Sequence, residues 1–185
     1  MDIRTLHAEA LRSTHRFVTA VGPDQWQAPT PCEDWNVRQL VNHLVSGNLW
    51  VGELGRGRTI EEVGTGLDGD LLGDDPVAAH EASVVAATDA FAEDDAMERL
   101  WPLSYGARPG RVYARQRFID VLIHGWDLGV AAGRDPLLPA DLVEACAELL
   151  TARPQLRQQL GFADVEAGPA DDPQTRLLAL TGRRA

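Results

Sequence analysis

The segment from Phe118 to Val130 constrains the fold most, because apolar side chains would surround nearly the whole circumference of a helix formed by it. These side chains are Phe118, Ile119, Val121, Leu122, Ile123, Trp126, Leu128 and Val130. A helix that is apolar on almost every side lies inside a protein. The sequence therefore predicts a buried helix over residues 112–132, with the other elements packed around it.

The same helix carries a narrow polar stripe formed by Asp120, His124 and Asp127, which follow one another at i, i+4 and i+7. Burying an unpaired carboxylate costs several kcal/mol, so Asp120 needs a partner. A divalent metal ion bound by Asp120 and His124 would supply one. A buried polar network in which the two side chains pair with each other is the alternative. Asp127 would either orient His124 or face solvent near the end of the helix.

His43 is the best candidate for a third metal ligand from a facing helix. It lies at the edge of an apolar stripe, with Leu40 one turn before it and Gly47 one turn after it, and the small glycine would leave room beside it. Two histidines and one carboxylate leave at least one coordination position open, which is typical of catalytic rather than structural sites.

The remaining pattern predicts an all-α protein, a single domain over residues 1–185 in which helices pack as an antiparallel bundle. The second helix would be capped by Asp34 or Asn36. A Gly- and Asp-rich loop is predicted over residues 52–75, and a loop without regular structure over residues 101–111. Other helices are predicted over residues 2–21, from 37, from 76, over 141–152 and over 173–180.

Charge and composition narrow the classes of partner. The net charge is −11 and the isoelectric point is near 4.8, so the chain would repel phosphate backbones and nucleic acid is not an expected partner. No apolar run approaches the roughly 20 residues that span a bilayer, and the N-terminus is unlike a signal peptide, so we expect a cytoplasmic protein without a membrane partner. The absence of lysine excludes Schiff-base chemistry and a P-loop.

Two motifs carry a resemblance to a known family. TPCEDWNVRQLVNHL at residues 30–44 resembles the pattern TPC-x-x-W-x-V-x-x-L-x-x-H of actinobacterial DinB-like metal-binding proteins. RFIDVLIHGWDL at residues 117–128 resembles their second motif, a carboxylate-x-x-x-His followed by Trp-Asp. These proteins are similar to the N-terminal domain of mycothiol-dependent maleylpyruvate isomerase. The resemblance covers about residues 1–134, and the tail at 173–184 is also similar to this group.

The resemblance implies a DinB/YfiT-like four-helix bundle with long crossover loops, a metal-binding core at about residues 1–134 and a C-terminal helix and tail at 139–185. It implies His43, Asp120 and His124 as ligands of one divalent metal, zinc or alternatively nickel, and a homodimer. The metal would bind a low-molecular-weight thiol, mycothiol, as the nucleophile of a transferase acting on a small electrophile.

Two departures from the isomerase limit the activity that the resemblance implies. Asp120 stands where the isomerase has a glutamate, and only residues 155–185 remain where it has a second domain. Maleylpyruvate isomerase activity itself is therefore not expected, and whether the chain is an enzyme stays open. A metal-dependent hydrolase is one alternative, with Asp127 as the sequence-near general base. A non-catalytic small-molecule-binding or stress protein that keeps the metal site is the other.

Overall fold

The computed structural model describes residues 1–33, 35–162 and 172–184, and this part of the chain is mainly helical. In chain order the elements are α1 (Ile3–Val18), a short 3-10 helix (Pro23–Gln25), α2 (Val37–Gly55), α3 (Ile60–Val63), α4 (Pro76–Ala92), β1 (Leu100–Leu103), β2 (Gly106–Pro109), α5 (Gly110–Ala131), α6 (Ala140–Ala152), α7 (Gln155–Gln159) and α8 (Pro173–Leu180).

Helix α5 is the buried helix that the sequence predicts. From Gln116 to Gly129 every residue is buried except Asp120, which is partly exposed. Helix α1 packs along α5 and α2 packs along α4, and the two pairs are joined through contacts of α1 with α4 and of α2 with α5. This arrangement brings the polar stripe of α5 against α2.

Side-chain caps explain where the long helices begin. Asp2 accepts a hydrogen bond from the backbone N–H of Thr5 at the start of α1. Asn36, one of the two predicted caps of α2, accepts from the N–H of Gln39. The Gln39 side chain in turn accepts from the N–H of Asn36, which completes a capping box. The other predicted cap, Asp34, lies outside the described residues.

Two predicted loops contain regular structure. Helix α2 extends to Gly55 and α3 follows, so the segment predicted as one loop over residues 52–75 is partly helical. The prediction of no regular structure over residues 101–111 is wrong, because β1 and β2 form an antiparallel hairpin. Each strand has only four residues, and neither LWPL nor GARP shows the alternation of apolar and polar residues that identifies a strand. The side chain of Trp101 in β1 packs into the core, where it is 1% exposed, and anchors the hairpin there.

Helices α6 and α8 pack against each other, and α6 also contacts α1 and α5. Helix α8 matches the predicted range, and the residues after it return toward α5. No helix among the described residues is long and apolar enough to cross a lipid bilayer. The division into a metal-binding core and a C-terminal extension stays a prediction.

Candidate metal centre

The structure brings together the three predicted ligands, His43 from α2 and Asp120 and His124 from α5. The Nε2 atom of His43 lies 3.2 Å from Oδ1 and 3.3 Å from Oδ2 of Asp120. The Nε2 atom of His124 lies 3.5 Å from the same Oδ1. One potential ligand atom from each side chain lies within 4.8 Å of the other two. The side chain of His43 is 32% exposed, whereas that of His124 is 7% exposed, so the cluster is reached from the His43 side.

Arg117, one turn before Asp120, holds the other oxygen of this carboxylate. Its Nη1 donates to Oδ2 of Asp120 at 2.8 Å, and its Nη2 donates to Oδ1 of Asn48 at 3.3 Å. Burial raises the pKa of Asp120, but Arg117 and the two histidines outweigh burial and lower that pKa well below its usual range. Asp120 is therefore a carboxylate at neutral pH.

Gly47 makes room for Arg117 rather than for His43. A Cβ atom at position 47 would lie 2.3 Å from Nη1 and 2.5 Å from Cζ of Arg117. Because no side chain could occupy that space together with the guanidinium group, glycine at 47 is what allows Arg117 to reach Asp120. The small residue near the site is evident from the sequence, but the side chain that occupies the space beside it is not.

On its other side, His124 is held by Asp127, whose side chain is fully buried. Nδ1 of His124 lies 2.9 Å from Oδ2 of Asp127. Arg183, three residues beyond the end of α8, donates to both oxygens of the same carboxylate. Burial raises the pKa of Asp127, yet the hydrogen bonds from His124 and Arg183 outweigh it and keep that pKa below its usual range. Of the two predicted roles for Asp127, facing solvent is wrong, and contact with His124 is observed.

This contact fixes which nitrogen of His124 carries the proton. A buried carboxylate only accepts hydrogen bonds, so Nδ1 of His124 is the donor and neutral imidazole has its lone pair on Nε2. That lone pair faces Oδ1 of Asp120, which is also an acceptor. A divalent cation that binds both atoms would satisfy this contact at 3.5 Å, and a proton on Nε2 would satisfy it as well.

The donor set fits a divalent transition metal. Ligand atoms of one tetrahedral zinc site lie about 3.3 Å apart, given metal–ligand distances of about 2.0–2.1 Å. The separations of 3.2 Å and 3.5 Å from Oδ1 of Asp120 to the two histidine nitrogens are close to that value. Two imidazoles and one carboxylate are ligands that zinc, nickel and iron accept.

An open cleft begins at His43. Its volume is about 680 Å³, and its lining includes Trp35, polar side chains of α2 and residues 67–70 from the segment between α3 and α4. Trp35 stacks on His43, with ring centroids 4.5 Å apart, and lies 5.6 Å from the ring of His124. Asn42 donates to the carbonyl of Gly69 and accepts from the N–H of Leu71, which fixes the segment beside the site.

Fold and site together define a helical protein with a partly buried cluster of two histidines and one carboxylate beside an open polar cleft. Comparison with known proteins then shows the family. The model of the mycothiol maleylpyruvate isomerase N-terminal domain matches residues 7–129, and the chain belongs to this family, which is part of the DinB-like superfamily.

Two relatives match over nearly the full length of the chain. Two uncharacterized proteins of Mycobacterium tuberculosis, from strains CDC 1551 / Oshkosh and H37Rv, are each 32% identical to this chain over 189 residues. The alignments cover 99% of this chain and 98% of each relative. No solved structure matches the chain.

Proposed function

We propose that the protein binds one divalent metal ion at His43, Asp120 and His124 and uses it to transfer a low-molecular-weight thiol, mycothiol, to a small electrophile. The observation that carries this proposal is that Nε2 of His43 and Nε2 of His124 lie 3.2 Å and 3.5 Å from the same oxygen, Oδ1 of Asp120. A divalent cation held by these residues would lower the pKa of a bound thiol, so that the nucleophilic thiolate would be present at neutral pH.

The side chains around the cluster have separate roles in this proposal. Asp120 contributes Oδ1 while Arg117 retains Oδ2, so this carboxylate would bind through one oxygen. Asp127 keeps the proton of His124 on Nδ1. Trp35 covers one face of His43 and limits the access of water from that side.

The cleft at His43 is where the thiol and the electrophile would bind. Its polar lining, including Gln39, Asn42 and Ser46, suits a small polar thiol. In the transfer step the thiol sulfur forms a bond to the electrophilic carbon, the leaving group departs with the electron pair of the broken bond, and the thiol proton passes to solvent. In an addition to an activated double bond no group would leave. The sulfur would bond to one carbon of the double bond, and the other carbon would take up a proton.

The position of Asp127 argues against a metal-dependent hydrolase in which this residue is the general base. Asp127 contacts the Nδ1 side of His124, opposite the Nε2 that faces the cluster, and both of its oxygens are bonded to Arg183. It therefore has no access to a water molecule on the metal.

We also propose that α1, α2, α4 and α5 form the four-helix bundle of the superfamily, which their pairwise contacts support.

Thermal unfolding of the zinc-loaded protein tests the proposal. We expect free mycothiol to raise the midpoint of unfolding in a concentration-dependent way, because a ligand that binds only the folded state stabilises it. S-alkylated mycothiol, which has no ionisable thiol, is the matched control ligand and should have no such effect. The His43→Ala variant should respond to neither compound.

A model electrophile then separates a transferase from a binding protein. Monochlorobimane becomes fluorescent when a thiol displaces its chloride, so zinc-dependent acceleration by the wild-type protein supports transfer. Stabilisation by mycothiol without any acceleration would favour the non-catalytic binding protein instead. If no thiol changes the stability of the zinc-loaded protein, the thiol part of the proposal is wrong.

A further inference from the structure

The residues that follow α8 bring a charged side chain to the interior of the protein. Nε of Arg183 donates to Oδ1 of Asp127 at 3.2 Å, and Nη2 donates to Oδ2 at 2.8 Å. This is the two-pronged arrangement in which a guanidinium group fixes both the position and the plane of a carboxylate. The side chain of Arg183 is 10% exposed and that of Asp127 is fully buried, so the pair is shielded from water.

Arg183 is itself held in place from two further directions. Its Nη1 donates to the carbonyl oxygen of Thr181 at 2.7 Å, and its Cζ lies 5.2 Å from the centroid of the Phe162 ring. Thr181 is buried and bonds back to α8 through its hydroxyl group. The guanidinium group is therefore preorganised, and it does not lose much conformational freedom when it binds the carboxylate.

We infer that Arg183 is a positioning residue of the metal centre, acting on His124 through Asp127. The inference rests on the proposed function, since it concerns how well His124 binds a metal. Arg183 lies beyond the residues matched by the family domain, which end at 129. The centre is thus completed by a part of the chain outside that domain.

The physical reason lies in the orientation of the His124 ring. A carboxylate that accepts from the far nitrogen of a metal-binding histidine fixes the tautomer and the ring plane and increases the basicity of the ligating nitrogen. Asp127 does this only while its carboxylate stays in the plane of the ring. Without Arg183 the carboxylate would lose the two hydrogen bonds that fix its plane, and it would be free to rotate. Such a rotation weakens the hydrogen bond that orients His124.

Zinc affinity, measured by competition with a chromophoric chelator, tests this inference. We expect Arg183→Gln to weaken zinc binding about tenfold, the lower end of the loss typical for residues that orient a metal ligand. Arg184→Gln removes the same charge from the exposed neighbouring residue and should leave the affinity unchanged. Arg183→Lys keeps the charge without the two-pronged contact and should give an intermediate loss. In an Asp127→Asn background, Arg183→Gln should cause no further loss, because the two residues act in series.

A second readout needs no metal. In protein labelled with ¹⁵N histidine, the His124 Nδ1 proton should exchange slowly in the wild type and in Arg184→Gln but quickly in Arg183→Gln. Circular dichroism identifies any variant that fails to fold, and Arg183→Lys then serves as the test.

The outcomes separate the two proposals. If the wild type binds zinc but Arg183→Gln binds it within a factor of two and retains the slow proton, the role of Arg183 is overturned and the proposed function stands. If the wild type binds no divalent metal, the proposed function fails and the positioning role fails with it.

Discussion

Replacing Gly47 with alanine should displace Arg117 from Asp120. The added Cβ would lie 2.3 Å from Nη1 and 2.6 Å from Nη2 of Arg117, well inside van der Waals contact. Overpacking of this kind costs about 1–3 kcal/mol, and losing hydrogen bonds to a charged group costs about 1.5–3 kcal/mol more. Alanine returns about 1 kcal/mol through its higher helix propensity. The expected net loss in the free energy of unfolding is about 1.5–5 kcal/mol.

Urea denaturation of the metal-free protein measures this loss. Gly52→Ala, on the same helix but away from the site, is the matched control: its nearest neighbour would be the Cβ of Ala86 at 3.1 Å, and the change should stay within about 1 kcal/mol. The reasoning predicts that the cost of Gly47→Ala disappears in an Arg117→Ala background, where the space is free. A Gly47→Ala variant as stable as the wild type, or one destabilised equally in both backgrounds, would refute it.

Three further predictions concern His7, Trp35 and Gly110. Burial lowers the pKa of His7 from 6.5 to about 3. As the pH drops from 6.5 toward 3 the unfolded state therefore binds a proton before the folded state does, and the free energy of unfolding falls. In urea titrations at pH 7 and 4.5, the drop in this free energy should be roughly 2–3 kcal/mol smaller for His7→Gln than for the wild type. Ni²⁺ should quench tryptophan emission, and Trp35→Phe should abolish most of the quenching, because Trp35 stacks on His43; equal quenching in the variant would contradict this. Gly110→Ala should lower the thermal midpoint strongly, because its Cβ would lie 1.8 Å from the carbonyl oxygen of Ala96; an unchanged midpoint would show that the backbone can yield there.

The central helix and its polar stripe could be predicted from the sequence, because both depend on local periodicity. Apolar residues on all sides of 118–130 indicate burial, and the spacing of Asp120 and His124 places them on one face. His43 is indicated by its place at the edge of the second helix's apolar stripe and by the motif at residues 30–44. That these three side chains converge is a matter of geometry, which the structure provides, whereas metal binding stays a prediction.

The polar partners of the cluster could not be predicted, since each depends on contacts between distant segments. Nothing in the local pattern distinguishes Arg117 from the other arginines until Gly47 is seen to face it from another helix. Arg183 reaches Asp127 across 56 residues of sequence. The hairpin at 100–109 is missed because its proline and glycine residues resemble those of a loop. Homodimerisation and cellular location stay predictions.

The most direct test of the central claim is the metal content of protein purified without a histidine tag and without added metal. Elemental analysis should find about one equivalent of zinc or another transition metal per chain, as a single site of this type holds. The His43→Ala, His124→Ala double variant should contain none, while His15→Gln, which removes a histidine outside the cluster, should keep the full amount. A wild-type protein that is folded, metal-free and unable to take up zinc, nickel, manganese or iron would contradict the account, and the cluster would then be a buried polar network.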